Sequence, residues 1–195
     1  MEEVKTRRNL TPEEKKAWIL ENCIDEYGDI DLKYLDFSDF DGDVCFCRMK
    51  IKCSLFQSGQ EVEGDLCQGL QEVQGNLHQS SQKVQGSLYQ RRQNVKGDLF
   101  QNHQTVQDNL YQNGQGVQGI LIQDNQQVKG SLYQSYQNVQ GDLYQTHQEV
   151  EGDLEQYNQN VQGSLYQHRQ NVKGNLYQGV QNVQGRIYQD EEKTN

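Results

Sequence analysis

The sequence predicts an all-β fold, a single-stranded β-solenoid of eleven-residue coils with an N-terminal α-helical cap. Three observations carry that expectation. From Gln57 to Tyr188 the pattern Q-x-x-Q-x-V-x-G-x-L-Y repeats twelve times without insertion. Its V-x-G-x-L run alternates with the period of a strand. Ahead of the array, a helix-start signal is followed by a short apolar stripe and a glycine stop.

The array comes first because repeats override composition. Only 33% of residues are hydrophobic and the mean hydropathy is -1.01, values that alone would suit a disordered chain. Yet the first and fourth positions are Gln in every copy, and the sixth is always Val. The eighth is Gly except at Asp108, and the tenth is Leu except at Ile187. Fixed length with variable intervening residues means that each copy is one unit stacked on its neighbours. An eleven-residue period also suits a right-handed coiled coil. A helix, however, would carry about 1 kcal/mol per Gly and roughly half that per Val, more than about 15 kcal/mol over the array. No Ala occurs between residues 57 and 188 to compensate.

Alternation places the fourth-position Gln, Val, Gly and Leu on one side, taken as inward, with the first-position Gln joining them after a corner. Buried Gln needs partners, and stacked copies supply them as amide ladders. The Gly column marks either a tight corner or a place where the opposite wall comes too close for a side chain. One repeat per coil makes Val62 and Val73 direct vertical neighbours. At about 4.8 Å per coil the rod would be roughly 58 Å long.

The chain divides into an arm (1–10), a capping helix (11–28), transition coils (29–56), the array (57–188) and a tail (189–195). Thr11-Pro12-Glu13-Glu14 is a capping box with Pro at the first helical position. Trp18, Ile19, Cys23 and Ile24 form the stripe, and Gly28 ends it. Such a helix would lie across the first coils, because an open solenoid end exposes strand edges and core. The short tail offers less cover. Either it folds over the last coil, or, the preferred reading, a second copy covers Val180, Ile187 and Tyr188 and makes a homodimer.

Between helix and array, Ile30-Asp31-Leu32, Leu35-Asp36-Phe37 and Phe40-Asp41-Gly42 fall five residues apart. Over residues 30–44 the chain resembles the pentapeptide-repeat family, right-handed quadrilateral β-helices built from five-residue faces. The eleven-residue array departs from that pattern, since eleven is not a multiple of five. The resemblance implies an acidic rod that dimerises through its C-terminal coils and mimics DNA towards a DNA-handling enzyme. In a bacterial or phage setting this extends by analogy to countering host defence.

Charge tests the mimicry. The chain carries a net charge of -10 and has a pI near 4.8. Residues 25–43 hold eight acids, among them Asp36, Asp39, Asp41 and Asp43, against Lys33 alone. The array holds 12 acids and 8 bases, far too dilute to imitate a duplex. Mimicry would therefore be local to the acidic segment, whose ordinary role is a solvated rim that blocks edge-to-edge aggregation.

The eleventh position is the second candidate surface. It reads Tyr89, Phe100, Tyr111, Ile122, Tyr133, Tyr144, Tyr166, Tyr177 and Tyr188, interrupted by Cys67, His78 and Glu155. Pointing outward, these residues form one aromatic ribbon suited to a protein partner. Read plainly, Tyr simply stacks well on its own copy. Ile120 and Ile122 depart from the pattern beside Tyr111 and Tyr133, so Tyr111, Ile120, Ile122, Tyr133 and Tyr144 are the candidate contact residues.

Catalysis has no support in the pattern. His78, His103, His147 and His168 lie on separate coils, with His103 and His147 in one column about 19 Å apart. Cys45, Cys47, Cys53 and Cys67 have weak zinc spacing and read as buried thiols. No phosphate loop or dinucleotide fingerprint is present. The expectation is a cytoplasmic, non-enzymatic protein-binding rod with no cofactor, metal or membrane span, which inhibits or protects a nucleic-acid-handling enzyme. The alternative is a structural, ice-binding or self-assembling rod. Direct nucleic-acid binding through Arg91, Arg92, Lys96, Lys129, Arg169 and Lys173 conflicts with the acidic pI.

Overall fold

The computed structural model describes residue 14 and residues 30–31, 44–45, 47–51 and 53–190. Its strands are short because each repeat holds two apolar anchors, Val and Leu, separated by corners. Glu61–Val62 and Leu66–Cys67 are typical pairs of such strands. Among the described residues all strand pairings are parallel, and they form four sheets.

The register corrects the expected coil. Val62 pairs with Val84, and Val73 with Val95, so vertical neighbours are 22 residues apart and not eleven. Val62 and Val73 lie on different walls. Each repeat supplies two strands and two corners, which is half a turn. The twelve repeats therefore make six turns, a stack of roughly 29 Å at about 4.8 Å per turn.

The walls follow in chain order. The first runs from Leu55–Phe56 through Leu121–Ile122 to Ile187–Gln189, and the second from Glu61–Val62 to Gln170–Val172. The third runs from Val44–Cys45 to Leu176–Gln178, and the fourth from Lys50–Ile51 to Gln181–Val183. The first wall thus opposes the third, and the second opposes the fourth. Ile30–Asp31 adds a strand to the first wall, pairing Ile30 with Leu55. A four-sided turn persists through the whole array, with 22 residues over four walls.

Inside, Leu55 and every tenth-position Leu from Leu66 to Leu165 are fully buried, and Val62 to Val161 nearly so. Each buried Leu contributes about 1.5–3 kcal/mol. Between them stand the first- and fourth-position glutamines, fully enclosed from Gln57 to Gln148 except for traces at Gln115 and Gln137. Gln79 Nε2 donates to Gln57 Oε1 one turn below at 3.0 Å and to Gln71 Oε1 across the interior at 3.1 Å. Gln82 Nε2 donates to Gln60 Oε1 at 3.0 Å and to the Gln57 backbone carbonyl at 2.8 Å. A carbonyl only accepts, so that last bond fixes which way the amide points. Every ladder then donates towards the N-terminal end and leaves its acceptors towards the other.

The glycine column is not inward. Gly64 and its copies are half-exposed, and Gly174 and Gly185 exposed, at the corners into the first and third walls. They are glycine because coils approach closely there. A Cβ on Gly163 would stand 2.5 Å from the Gly141 carbonyl oxygen. The other corner bends at the third repeat position, where Leu70, Ser81, Arg92, His103, Asn125, Tyr136, His147, Asn158 and Arg169 all have φ between 52° and 59°. Gly59 and Gly114 share that left-handed geometry.

Several expectations lie outside the described residues. The arm, the Trp18 stripe, Leu35-Asp36-Phe37, Phe40-Asp41-Gly42, Asp39, Asp43 and residues 191–195 all do so. Of the expected capping helix only Glu14 is described, and it is helical.

Candidate functional site

Doubling the coil splits the expected tyrosine ribbon in two. Cys67, Tyr89, Tyr111, Tyr133, Glu155 and Tyr177 occupy the third wall. Phe56, His78, Phe100, Ile122, Tyr144, Tyr166 and Tyr188 occupy the first. Tyr111 and Tyr133 therefore face away from Ile122 and Tyr144. The five contact candidates do not form one patch.

Each column is outward and half-buried by its own stacking. Tyr89, Tyr111 and Tyr133 are parallel, with centroids 4.9 and 4.8 Å apart. On the opposite wall Tyr144, Tyr166 and Tyr188 stack at 4.4 and 4.7 Å, and Phe56, His78 and Phe100 at 4.5 and 4.6 Å. Aromatic pairs in such offset geometry contribute about 0.5–1.5 kcal/mol beyond area burial. Ile122 separates the two stacks on the first wall. The rings stack on their copies, as the plainer reading of the eleventh position expects, and most remain half-exposed.

Glu155 breaks the third-wall column for a different purpose. Its carboxylate accepts a 2.6 Å hydrogen bond from the Tyr157 hydroxyl. That bond, ahead of burial, pushes the Tyr157 phenol up to about 12. A raised folded-state pKa means the contact stabilises below pH 10 and is lost as pH climbs through about 12. In a spectrophotometric titration, Glu155→Gln is expected to move one tyrosine transition down towards the ordinary phenol range. An unchanged profile would refute the assignment.

Sequence reasoning missed a second ladder at the ninth position. Asp65 Oδ1 accepts from the Ser87 amide at 2.7 Å, Asn76 from Asp98 at 2.9 Å, and Asp142 from Ser164 at 2.7 Å. The signal was present, since that column is Asp, Asn or Ser in ten of twelve copies. Ile120 is an exception. Its amide donates to Asp98, but it has no oxygen to offer Asp142 one turn on. It is also 37% exposed. Restoring the acceptor with Ile120→Asn is expected to raise stability by about 0.5–1 kcal/mol in urea denaturation. A loss of stability would show that Ile120 packs usefully within its own chain.

The second and fourth walls differ in chemistry, which the eleven-residue reading could not separate. The second carries Glu61, Lys83, Lys129, Glu149, Glu151 and Lys173, with ion pairs Lys83–Glu61 at 2.7 Å and Lys173–Glu151 at 3.4 Å. From Gly116 onward the fourth wall shows only Gln118, Asn138, Gln140, Asn160, Gln162, Asn182 and Gln184 beside that glycine. Asn160 and Asn182 each donate to the Asn one turn below, at 3.4 and 3.3 Å.

The expected dimer residues do gather at one place. Val180, Ile187 and Tyr188 lie on the last turn with Leu176 and Tyr177, and Val180 is 74% exposed. The Oε1 atoms of Gln178, Gln181 and Gln189 receive no donor among the described residues. Asp190 closes the turn through the Arg169 backbone amide and His168. Those two contacts, the amide first, hold its carboxyl below the usual range.

His103 and His147 share a column, as expected, but two turns apart, about 10 Å and not 19 Å. His147 Nε2 faces the Arg169 guanidinium at 3.0 Å. Among the described residues no group of three or more His, Cys, Asp or Glu side chains could hold a metal ion. Cys47, Cys53 and Cys67 are not in disulfides. No described helix is long and apolar enough to cross a membrane. The six basic candidates scatter over two walls and two corners. No protein-family model, curated protein or solved structure matches the chain.

Proposed function

We propose that this protein is a non-enzymatic, cytoplasmic binding rod whose partner is a protein, and that it inhibits or protects a nucleic-acid-handling enzyme. The observation that carries the binding role is the pair of outward aromatic columns, stacked at turn spacing on opposite walls. Tyrosine edges held rigid by their neighbours offer contact area at little entropic cost. The enzyme as partner rests on the acidic segment of residues 25–43 and on the pentapeptide-repeat resemblance. Over six turns the array carries one net negative charge per about 7 Å, against one per about 1.7 Å in duplex DNA. Mimicry of nucleic acid is thus assigned to the acidic segment alone. The open last turn suits a homodimer that buries Val180, Ile187 and Tyr188, with water between the facing Gln oxygens.

Pull-down from a bacterial lysate at low and high salt tests this reading. A DNA- or RNA-processing enzyme retained at low salt and released at high salt is the expected result. Recovery of no such enzyme at either salt overturns it. The fourth wall from Gly116 onward favours one second reading, a structural or ice-binding rod, because its uncharged amides repeat at regular turn spacing. Thermal hysteresis would place that reading first.

A further inference from the structure

We infer that the corner between the third and fourth walls holds a docking groove for an extended, acidic peptide segment of a partner protein. The inference rests on the protein-binding reading above and names a site that reading does not. The corner's third-position column runs Leu70, Arg92, Gly114, Tyr136, one turn apart, all with positive φ. The equivalent column at the opposite corner runs Gly59, Ser81, His103, Asn125, His147, Arg169 in the same backbone geometry. The fold accepts small or polar residues at this position, so it does not require Leu70 or Tyr136, although Tyr136 also meets the Tyr157 ring edge-on with centroids 6.2 Å apart. Yet Leu70 is 43% exposed and Tyr136 62%.

Between these two apolar ends the surface is hollow. Gly114 contributes no side chain, and Gly69 contributes none one position before Leu70. On the adjoining wall Cys67 stands where the column above it carries rings, so the lower edge of the Tyr89 stack opens into the same space. The resulting groove has a volume of about 560 Å³. Its side is cationic. The Arg91 guanidinium lies 5.1 and 5.0 Å from the Tyr89 and Tyr111 ring centres, and Arg92 is its neighbour. Neither arginine has a carboxylate within ion-pair distance among the described residues. In a chain of net charge -10, a cationic, partly apolar groove selects an acidic partner.

Spacing selects the conformation. Leu70 and Tyr136 are three turns apart, about 14 Å. Side chains four residues apart in an extended chain are separated by about 13.5 Å and share a face with the residue between them. The matching segment is apolar, any, acidic, any, apolar, with its carboxylate directed at Arg91 and Arg92.

Fluorescence anisotropy with labelled GLSESLG tests the groove. The expected result is saturable binding, at least tenfold weaker for GLSKSLG and for GSSESSG. Tenfold weakening is also expected in the R91N/R92G and Y136N variants, which import residues the same positions carry in other repeats. Circular dichroism of those variants should be unchanged. Equal binding of the three peptides, binding unaffected by the variants, or binding of labelled oligothymidylate in place of the peptide overturns the inference. If the pull-down still retains an enzyme in that case, the groove is lost and the protein-binding reading stands.

Discussion

Gln104→Ala is expected to lower the free energy of unfolding by about 3–5 kcal/mol, among the largest effects of any single substitution in the array. Gln104 is fully buried at the centre of the stack. Its Nε2 reaches the Gln79 carbonyl at 2.8 Å, Gln82 Oε1 at 3.1 Å and Gln90 Oε1 at 3.2 Å. Its Oε1 accepts from Gln112 at 3.0 Å and Gln126 at 3.2 Å. Truncation therefore opens a cavity and also strips partners from five other groups in a fully buried interior. Gln104→Met separates the two contributions, since it keeps the volume and loses the bonds. It is expected to cost about 2–3 kcal/mol. Chemical denaturation followed by circular dichroism measures both. A cost below about 1 kcal/mol for the alanine variant would mean that the ladder contributes little beyond filling space.

Gly163→Val is expected to cost more than about 3 kcal/mol or to separate the coils at that corner. The added Cβ would lie 2.5 Å from the Gly141 carbonyl oxygen and 2.6 Å from its carbon, and backbone cannot move aside as a flexible side chain can. The array contains its own precedent in Asp108, the one side chain in the glycine column. There the amide-to-carbonyl distance to Gly86 stretches to 3.4 Å, whereas the other ten such contacts lie between 3.0 and 3.2 Å. An aspartate at an exposed corner is tolerated by that local lengthening, but a branched side chain demands more. An unfolding midpoint unchanged in Gly163→Val would show that the coils slide freely past one another.

Much of the interior was legible in the repeat. Period-two alternation placed Val and Leu inside, and two invariant Gln per copy implied stacked amides, because only a ladder satisfies a polar group repeated at every level. The candidate surface was legible by residue type but not by location. Tyr111, Ile122, Tyr133 and Tyr144 are all outward, yet they divide between opposite walls. A 22-residue signal was there to be found. Asn-Val-Gln occurs at 138, 160 and 182, in every second repeat only. Third-position Gly, Asn and His also hinted at a left-handed corner in each copy.

What the sequence by itself determined is that Val, Leu and the two invariant Gln of each repeat face inward, since that depends on local alternation along a strand; the glycine it placed with them stands at a corner instead. What only the tertiary structure decided is how many residues close a turn, and therefore which residues share a wall. Closure depends on the summed bend of the corners. Two corners per repeat turn the chain half-way round, so alternate repeats land on opposite sides. That geometry separates a charged wall from one that presents only amides from Gly116 onward, and sets Leu70, Arg92 and Tyr136 along a single corner.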